Sequence, residues 1–284
     1  MISVFVPSKG RSDKPLSTLK VLKDSLEFVT LVVESDEYEA YRFHYPSLKI
    51  LVLPDRNRGE AFVRNFIIQY AHYVGIRWII QADDDIRKAG RFQVDDAKVR
   101  RISISGHELL SHYTEQARRF TLLSADRDFT GYWRIRAGEE FCVPGWASAF
   151  YTMDVDWFVR NKCGFRPSLV YHGDVDLSMQ VHALGGSTGL CSTHYVRNDF
   201  CSPGGFEWMA EEQFRQATET FLTSWPKGCI KSRRVKTGSV RGQHNHRPVW
   251  KYVQTVNFEQ SPSQEAYSLF TEYDFQQAQM LGRM

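Results

Sequence analysis

Four apolar runs, separated by segments of helical periodicity, occupy the first hundred residues, and each stops at a polar or acidic cluster. The runs cover residues 2–6, 28–33, 49–53 and 78–82. After the first, Leu16, Leu19, Val21, Leu22 and Leu26 recur at helical spacing. Asn57 and Glu60 predict a capping box opening a helix that reaches about Val74. Strands that are apolar throughout and alternate with helices predict an α/β chain: a mixed, mostly parallel sheet with right-handed crossovers, flanked by helices. Ligands of such sheets sit beyond the carboxyl ends of the strands. Those ends carry Pro7, Ser8 and Arg11, then Glu34, then Asp55 and Arg58, and finally Asp83, Asp84 and Asp85.

The three consecutive aspartates carry the most chemistry. Carboxylates at the tip of a core strand repel one another and are costly to desolvate, so a positive group belongs there. Residues two apart on a strand face the same way, which makes Asp83 and Asp85 converge and turns Asp84 elsewhere. The pair suits a hard divalent cation, Mn²⁺ or Mg²⁺, carrying a diphosphate. A solvated acidic turn is the alternative, and the immediate return to Ile86 argues against it.

Beyond Ile86 the pattern loosens. Ser105 and Glu108 predict a second capping box, opening a helix to Phe120. Residues 132–135, 147–153 and 190–196 are strand-like, and 174–184 and about 207–222 are helical. No internal repeat or low-complexity tract is present. A chain of 284 residues, 42% hydrophobic and 14% aromatic, has ample length for a buried core.

The net charge of +3 is unevenly spread. Residues 220–258 contain no acid but hold Lys227, Lys231, Arg233, Arg234, Lys236, Arg241, Arg247 and Lys251, with His244 and His246. A one-sign segment of this kind predicts an anionic partner, either donor phosphates or a nucleic-acid backbone; a solvated basic face is the other reading. Five cysteines without a CxxC pair predict a reduced, cytoplasmic protein. The chain opens directly on a strand, so no signal peptide is expected, and no apolar stretch approaches the ~20 residues that span a bilayer.

Taken in order, several motifs resemble the nucleotide-sugar half of a GT-A glycosyltransferase. They are Pro7-Ser8-Lys9-Gly10-Arg11, Glu34, Gly59 with Arg64-Asn65, and Asp83-x-Asp85. Gly145-Trp146-Ala147-Ser148-Ala149-Phe150 and Gly173-Asp174-Val175-Asp176-Leu177 resemble that fold's acceptor half, where such an Asp serves as base in inverting members. The likeness covers residues 1–200, with 1–100 as the nucleotide-sugar half and 101–200 as the acceptor half. Residues 201–284 remain as a C-terminal extension carrying the basic segment 227–251. More narrowly, the first motif and Ala82-Asp83-Asp84-Asp85-Ile86 are similar to the TET-associated glycosyltransferases. That group includes phage enzymes and the base J glucosyltransferase, which attach sugars to hydroxymethylated pyrimidines in DNA. The resemblance implies the cytoplasm of a phage-infected cell as the setting.

The resemblance also implies roles. Asp85 and Asp83 would hold the metal, or Asp83 would contact ribose or sugar hydroxyls. Pro7, Ser8, Arg11, Glu34, Arg64, Asp83 and Asp84 would surround the donor. Arg11 and Arg64 suit either the diphosphate or the loops around it, since a guanidinium fork serves both. Asn65 is expected to hold a loop backbone, and Arg58 to be an ordinary surface charge. His194 occupies a place where many GT-A enzymes supply a third metal ligand, and His244 and His246 compete for that role. Asp174 is the expected base and Asp176 the second candidate, although an aspartate at a helix start also caps free N–H groups. Trp146 could stack on a sugar or a flipped base. Lys231, Arg233, Arg234, Lys236 and Arg241 would track DNA phosphates.

The combined reading is a metal-dependent, inverting transferase moving a sugar from a UDP-sugar to a hydroxymethylated pyrimidine in DNA. A saccharide or other non-DNA acceptor on the same fold is one alternative. A nucleotidyltransferase is another, although Gly10 stands alone where a glycine-rich loop would be expected. A non-enzymatic nucleic-acid-binding module is the last.

Overall fold

The apolar runs become β1 (Ser3–Pro7), β2 (Val29–Val33), β3 (Lys49–Val52) and β4 (Trp78–Ala82) in the computed structural model. The structure describes residues 1–95, 98–127, 131–198, 211–234, 244–256 and 270–281. β1 pairs in parallel with β2 and with β4, and β2 in parallel with β3. Val4, Val6, Leu31 and Ile80 enter one core, while Phe5, Val32 and Ile79 enter a second on the opposite face. Burial on both faces is why these runs are continuous in sequence rather than alternating.

The second half of the sheet adds β5 (Ile86–Asp95), β6 (Lys98–Ser103), β7 (Leu122–Asp126), β8 (Phe141–Cys142), β9 (Phe150–Asp154) and β10 (Thr188–Asn198). β9 runs antiparallel between β4 and β7, and β10 lies parallel to β7. The β5–β6 hairpin closes the edge beside β10, giving the order β3-β2-β1-β4-β9-β7-β10-β5-β6. Because β9 opposes both of its neighbours, the carboxyl ends of β1, β4 and β7 meet the amino end of β9 at one edge. The predicted mixed α/β sheet flanked by helices is the observed one.

Helices cover both faces: α1 (Ser17–Val21), α2 (Tyr38–His44), α3 (Glu60–Tyr73), α4 (Gly106–Gln116), α5 (Gly131–Arg136), α6 (Val155–Arg160) and α7 (Gly173–Ala183). α3 buries Phe66, Ile67 and Ala71 against one core, and α4 buries Leu109, Leu110 and Tyr113 in the other. Ser105 caps α4 as expected, accepting from Glu108 N at 3.0 Å. The Asn57–Glu60 box does not form. Gly59, at φ 83°, caps α3, and Asn57 itself turns to φ 58°. The helical spacing after Leu16 yields only the short α1 and a 3₁₀ turn, Leu26–Phe28. Residues 132–135 are helical in α5 rather than extended, tertiary context overriding the β preference of their aromatic and branched side chains. The hairpin β5–β6 and strand β7 have no counterpart in the sequence reading. β6 is rich in Lys and Arg, as befits an edge that must not pair with another chain.

After residue 200 come α8 (Glu211–Thr223), the antiparallel hairpin β11 (Ile230–Arg234) and β12 (His244–Pro248), α9 (Trp250–Val253) and α10 (Glu272–Leu281). Phe221, Trp225 and Val253 pack on Leu169 and Met179, and Phe275 joins the core of Phe5 and Phe66. The C-terminal segment is thus built into the cores of the rest. Lys236 and Arg241 lie outside the described residues, and Arg233 and Arg234 are placed by their backbone in β11. No helix among the described residues is long and apolar enough to cross a membrane.

Candidate active site

The edge where β1, β4 and β7 end opens into a cleft of about 770 Å³. Asp83, Asp84 and Asp85 all reach it, in the turn from β4 into β5 rather than on a strand. Thr18, fully buried on α1, holds this turn together. Its Oγ1 donates to Asp83 O (2.5 Å) and accepts from Ile86 N (2.9 Å). Nothing in the sequence singles out Thr18, because its partners lie more than sixty residues away.

The three carboxylates have different surroundings. Asp84 accepts from Ser8 Oγ at 2.6 Å and pairs with Arg11 Nη1. The Tyr41 hydroxyl completes this group, bonding Ser8 Oγ at 2.8 Å and accepting from Arg11 N at 3.2 Å. Burial pushes the Tyr41 phenol up to about 12, so it stays protonated. Ser8, Arg11 and Asp84 therefore bind one another across the loops that follow β1 and β4, and line the cleft beside Pro7.

Asp83 is held by Arg64, whose Nη2 lies 2.6 Å from Oδ1. The same guanidinium reaches Glu60 (3.1 Å) and Gln81 (3.4 Å) and lies over the Tyr151 ring at 5.7 Å. So engaged and only 5% exposed, Arg64 lines the cleft and holds Asp83 in place there. Burial pushes the Asp83 carboxyl up to about 7 against the pull of Arg64, with Glu60 and Asp85 adding repulsion. Two neighbouring hard oxygen donors, one of them driven toward protonation by burial and by the repulsion of Glu60 and Asp85, fit a divalent cation such as Mn²⁺ or Mg²⁺.

Glu34 Oε1 accepts from Lys9 Nζ and from Asn57 N, each at 2.8 Å. These bonds join the loops after β1, β2 and β3 at the cleft wall. Arg58 pairs with Asp55 at the surface (2.6 Å), as expected. Asn65 donates to Phe165 O (2.7 Å) and accepts from Phe165 N (2.8 Å), so it does hold a loop backbone.

The opposite wall comes from the start of α7. His172 precedes this helix at φ 68°, a left-handed conformation that costs a non-glycine residue about 1–3 kcal/mol. Asp174 follows in the first turn and faces the cleft; its Oδ1 accepts from Val175 N at 2.8 Å and its Oδ2 lies 3.8 Å from Arg127 Nη2. Burial pushes its carboxyl up from the ordinary range. Asp176 does not share this position. It is 0% exposed, accepting from Trp225 Nε1 (2.7 Å) and Gln180 Nε2 (2.7 Å) and pairing with Arg166 Nε (3.2 Å). The second candidate base is a buried anchor that ties α7 to the C-terminal segment.

His194 also departs from expectation. It is not among the cleft-lining residues but stacks on His112 of α4, ring centroids 3.6 Å apart. His246, on β12, does line the cleft, with Nδ1 2.8 Å from Ser232 Oγ. Trp146 lines it as well, on a loop where a Cβ at Gly145 would meet Leu190 N at 2.3 Å. Arg127, at the end of β7, has no counterpart in the sequence reading. It faces both acidic walls, drawing down the carboxyls of Asp83 and Asp174. Lys231 is exposed on β11 and stands opposite Arg247, which reaches the cleft.

A family model described as TET-associated glycosyltransferase matches residues 2–198. No curated protein matches the chain. Among solved structures, glucosyl-3-phosphoglycerate synthase from Mycobacterium tuberculosis, with Mn²⁺, UDP and phosphoglyceric acid, is 11% identical over 88% of this chain and 90% of that one, TM-score 0.49. S. aureus TarS 1-349 with UDP-GlcNAc is 14% identical over 78% of this chain and 65% of its own, TM-score 0.48. A mannose-1-phosphate geranyltransferase from Thermus thermophilus is 14% identical over 56% of this chain and 60% of its own, TM-score 0.36. The chain thus spans less than two thirds of the latter two, and likeness at this level carries no argument about substrates.

Proposed function

The chain belongs to the TET-associated glycosyltransferase family, and on that premise we propose that it moves a sugar from a UDP-sugar to the hydroxymethyl group of a modified pyrimidine in DNA, inverting the anomeric centre. The observation that carries this reading is the facing of two acidic walls across one cleft: Asp83 and Asp85 from the β4 turn, Asp174 from α7. Asp85 and Asp83 would hold Mn²⁺ or Mg²⁺, and His246 is better placed than His194 to be a third ligand because it shares the cleft. Such an ion would neutralise the charge that grows on a departing nucleoside diphosphate. Pro7, Ser8, Arg11, Glu34 and Asp84 form the donor-side wall, and Arg127 places a fixed positive charge between donor and base.

Asp174 accepts the proton of the acceptor hydroxyl as its oxygen bonds to the anomeric carbon. The bond from that carbon to the diphosphate breaks, and the diphosphate leaves with the electron pair. Attack opposite the leaving group inverts the centre. The raised Asp174 carboxyl is a stronger base than a solvated one, which suits the task. Trp146, Tyr171 and Phe214 line the cleft with flat faces on which an extruded base can stack. Lys231 and Arg247 stand opposite one another on the β11–β12 hairpin, two positive charges along which a phosphate backbone would lie. The setting that goes with this substrate is the cytoplasm of a phage-infected cell.

The test incubates the protein with Mn²⁺, a panel of UDP-sugars and DNA containing hydroxymethylcytosine or hydroxymethyluracil. Mass spectrometry of the digested nucleosides should find a hexose added to one of the two. Transfer to saccharides with none to either base would give the acceptor to the alternative reading.

A further inference from the structure

β10 pairs with β7 residue by residue through Cys191, opposite Ala125, and the next pair is Tyr195 with Asp126. Ser192, Thr193 and His194 therefore bulge from the β7 side of the strand. Such bulges re-aim a side chain, and here His194 is turned onto α4, where it meets His112. Cys191 Sγ lies 3.4 Å from His112 Nε2. We propose that His112, Cys191 and His194 form a second metal site, separate from the aspartate cleft and selective for a thiophilic divalent cation such as Zn²⁺.

One ligand atom from each of the three residues falls within 4.8 Å of the others. A tetrahedral zinc with bonds of about 2.0–2.3 Å needs them closer, and the two stacked rings must turn out of their stack for both nitrogens to aim at one ion. Thr193 Oγ1 lies 2.9 Å from His194 Nδ1, which leaves Nε2 of that ring to the ion. Cys191 is fully buried while both histidines are partly exposed, so the group is reached from the histidine side. Sulfur and imidazole donors favour zinc, whereas the oxygen donors at Asp83 and Asp85 favour Mn²⁺ or Mg²⁺. On binding, the Cys191 S–H bond breaks and its proton passes to solvent, with no change of oxidation state. The ion would tie α4 to β10.

Co²⁺ is the probe, added to the full chain after chelator treatment. One equivalent should produce the near-ultraviolet thiolate-to-cobalt charge-transfer band, Zn²⁺ should bleach it, and Zn²⁺ should raise Tm. Cys191→Ser should remove the band, while Cys142→Ser and Asp85→Asn should keep it. His112→Gln and His194→Gln should each weaken Co²⁺ binding at least about tenfold, since even loss of an outer partner does so. No band at excess Co²⁺, or a band that survives Cys191→Ser, overturns the site. If Cys191→Ser does not fold, unchanged Co²⁺ affinity in both histidine variants overturns it equally.

Discussion

Arg64 Nη2 lies 2.6 Å from Asp83 Oδ1, beneath the aspartate turn and over the Tyr151 ring, so this cleft carboxylate is oriented by an almost fully buried cation. The pairing couples the stability of the fold to the geometry of the candidate metal site.

Arg64→Leu should therefore do two things. Asp83 is only half-buried, so losing its partner should cost less than the about 3–5 kcal/mol of a fully buried pair, which urea unfolding would measure. The released Asp83 should also weaken Mn²⁺-dependent UDP binding, by roughly tenfold for each ~1.4 kcal/mol of lost orientation. Arg64→Lys keeps the charge but cannot span Glu60, Gln81 and Asp83 together, so it should recover stability only in part.

The pH dependence follows from Asp83. Its carboxyl titrates near 7 in the folded chain, against about 3.9 when solvated. Between those values the folded state holds a proton that the unfolded state has lost, so stability without metal should fall as pH rises through the window. Cation binding runs the other way, because a divalent ion needs the ionised form. Mn²⁺-dependent UDP binding measured by calorimetry should strengthen from about pH 6 to about pH 8, with proton release. Asp83→Asn should flatten both profiles.

Asp174 and Asp176 should separate cleanly. Asp174→Asn should leave UDP binding intact and lower transfer by ~10²–10⁴-fold, the usual worth of a general base. Asp176→Ala should leave Arg166 buried without its counter-ion and lower stability by about 3–5 kcal/mol. Turnover per folded molecule, normalised by active-site titration, distinguishes the two.

The strand tips were legible because a buried strand announces itself twice, by a continuous apolar run and by the polar residues that end it. Ser8, Glu34 and Asp83 all came from that signal, whereas the motif holding Asp174 came from the resemblance to the GT-A acceptor half. What escaped depends on closure in three dimensions. Asp174 and Asp176 share a motif, but two residues turn a helix by about 200°, sending one to the cleft and the other to the core. Arg127 was hidden because residues 122–126, Leu-Leu-Ser-Ala-Asp, carry no β-branched side chain to mark a strand. His194 follows from a bulge in β10 that hydrophobic alternation does not reveal. Asn57 failed as a cap because Gly59 takes the positive φ from which α3 starts.

The β11–β12 hairpin gives the DNA acceptor its own test. Lys231 and Arg247 face one another across the ladder, both exposed, with Arg247 also at the cleft. If the DNA backbone lies along this hairpin, Lys231→Glu and Arg247→Glu should each raise the apparent KM for polymeric DNA and reduce the slope of log affinity against log salt by about 1. Replacing Arg233, Arg234 and Arg241 together should have a larger effect of the same kind. KM for a free hydroxymethyl nucleoside, which carries no backbone phosphates, should change little. Equal losses on polymer and nucleoside would mean that the hairpin shapes the cleft instead of tracking phosphates. The ratio of the two KM values, followed over a salt series, therefore separates a polymer-reading surface from a purely structural one.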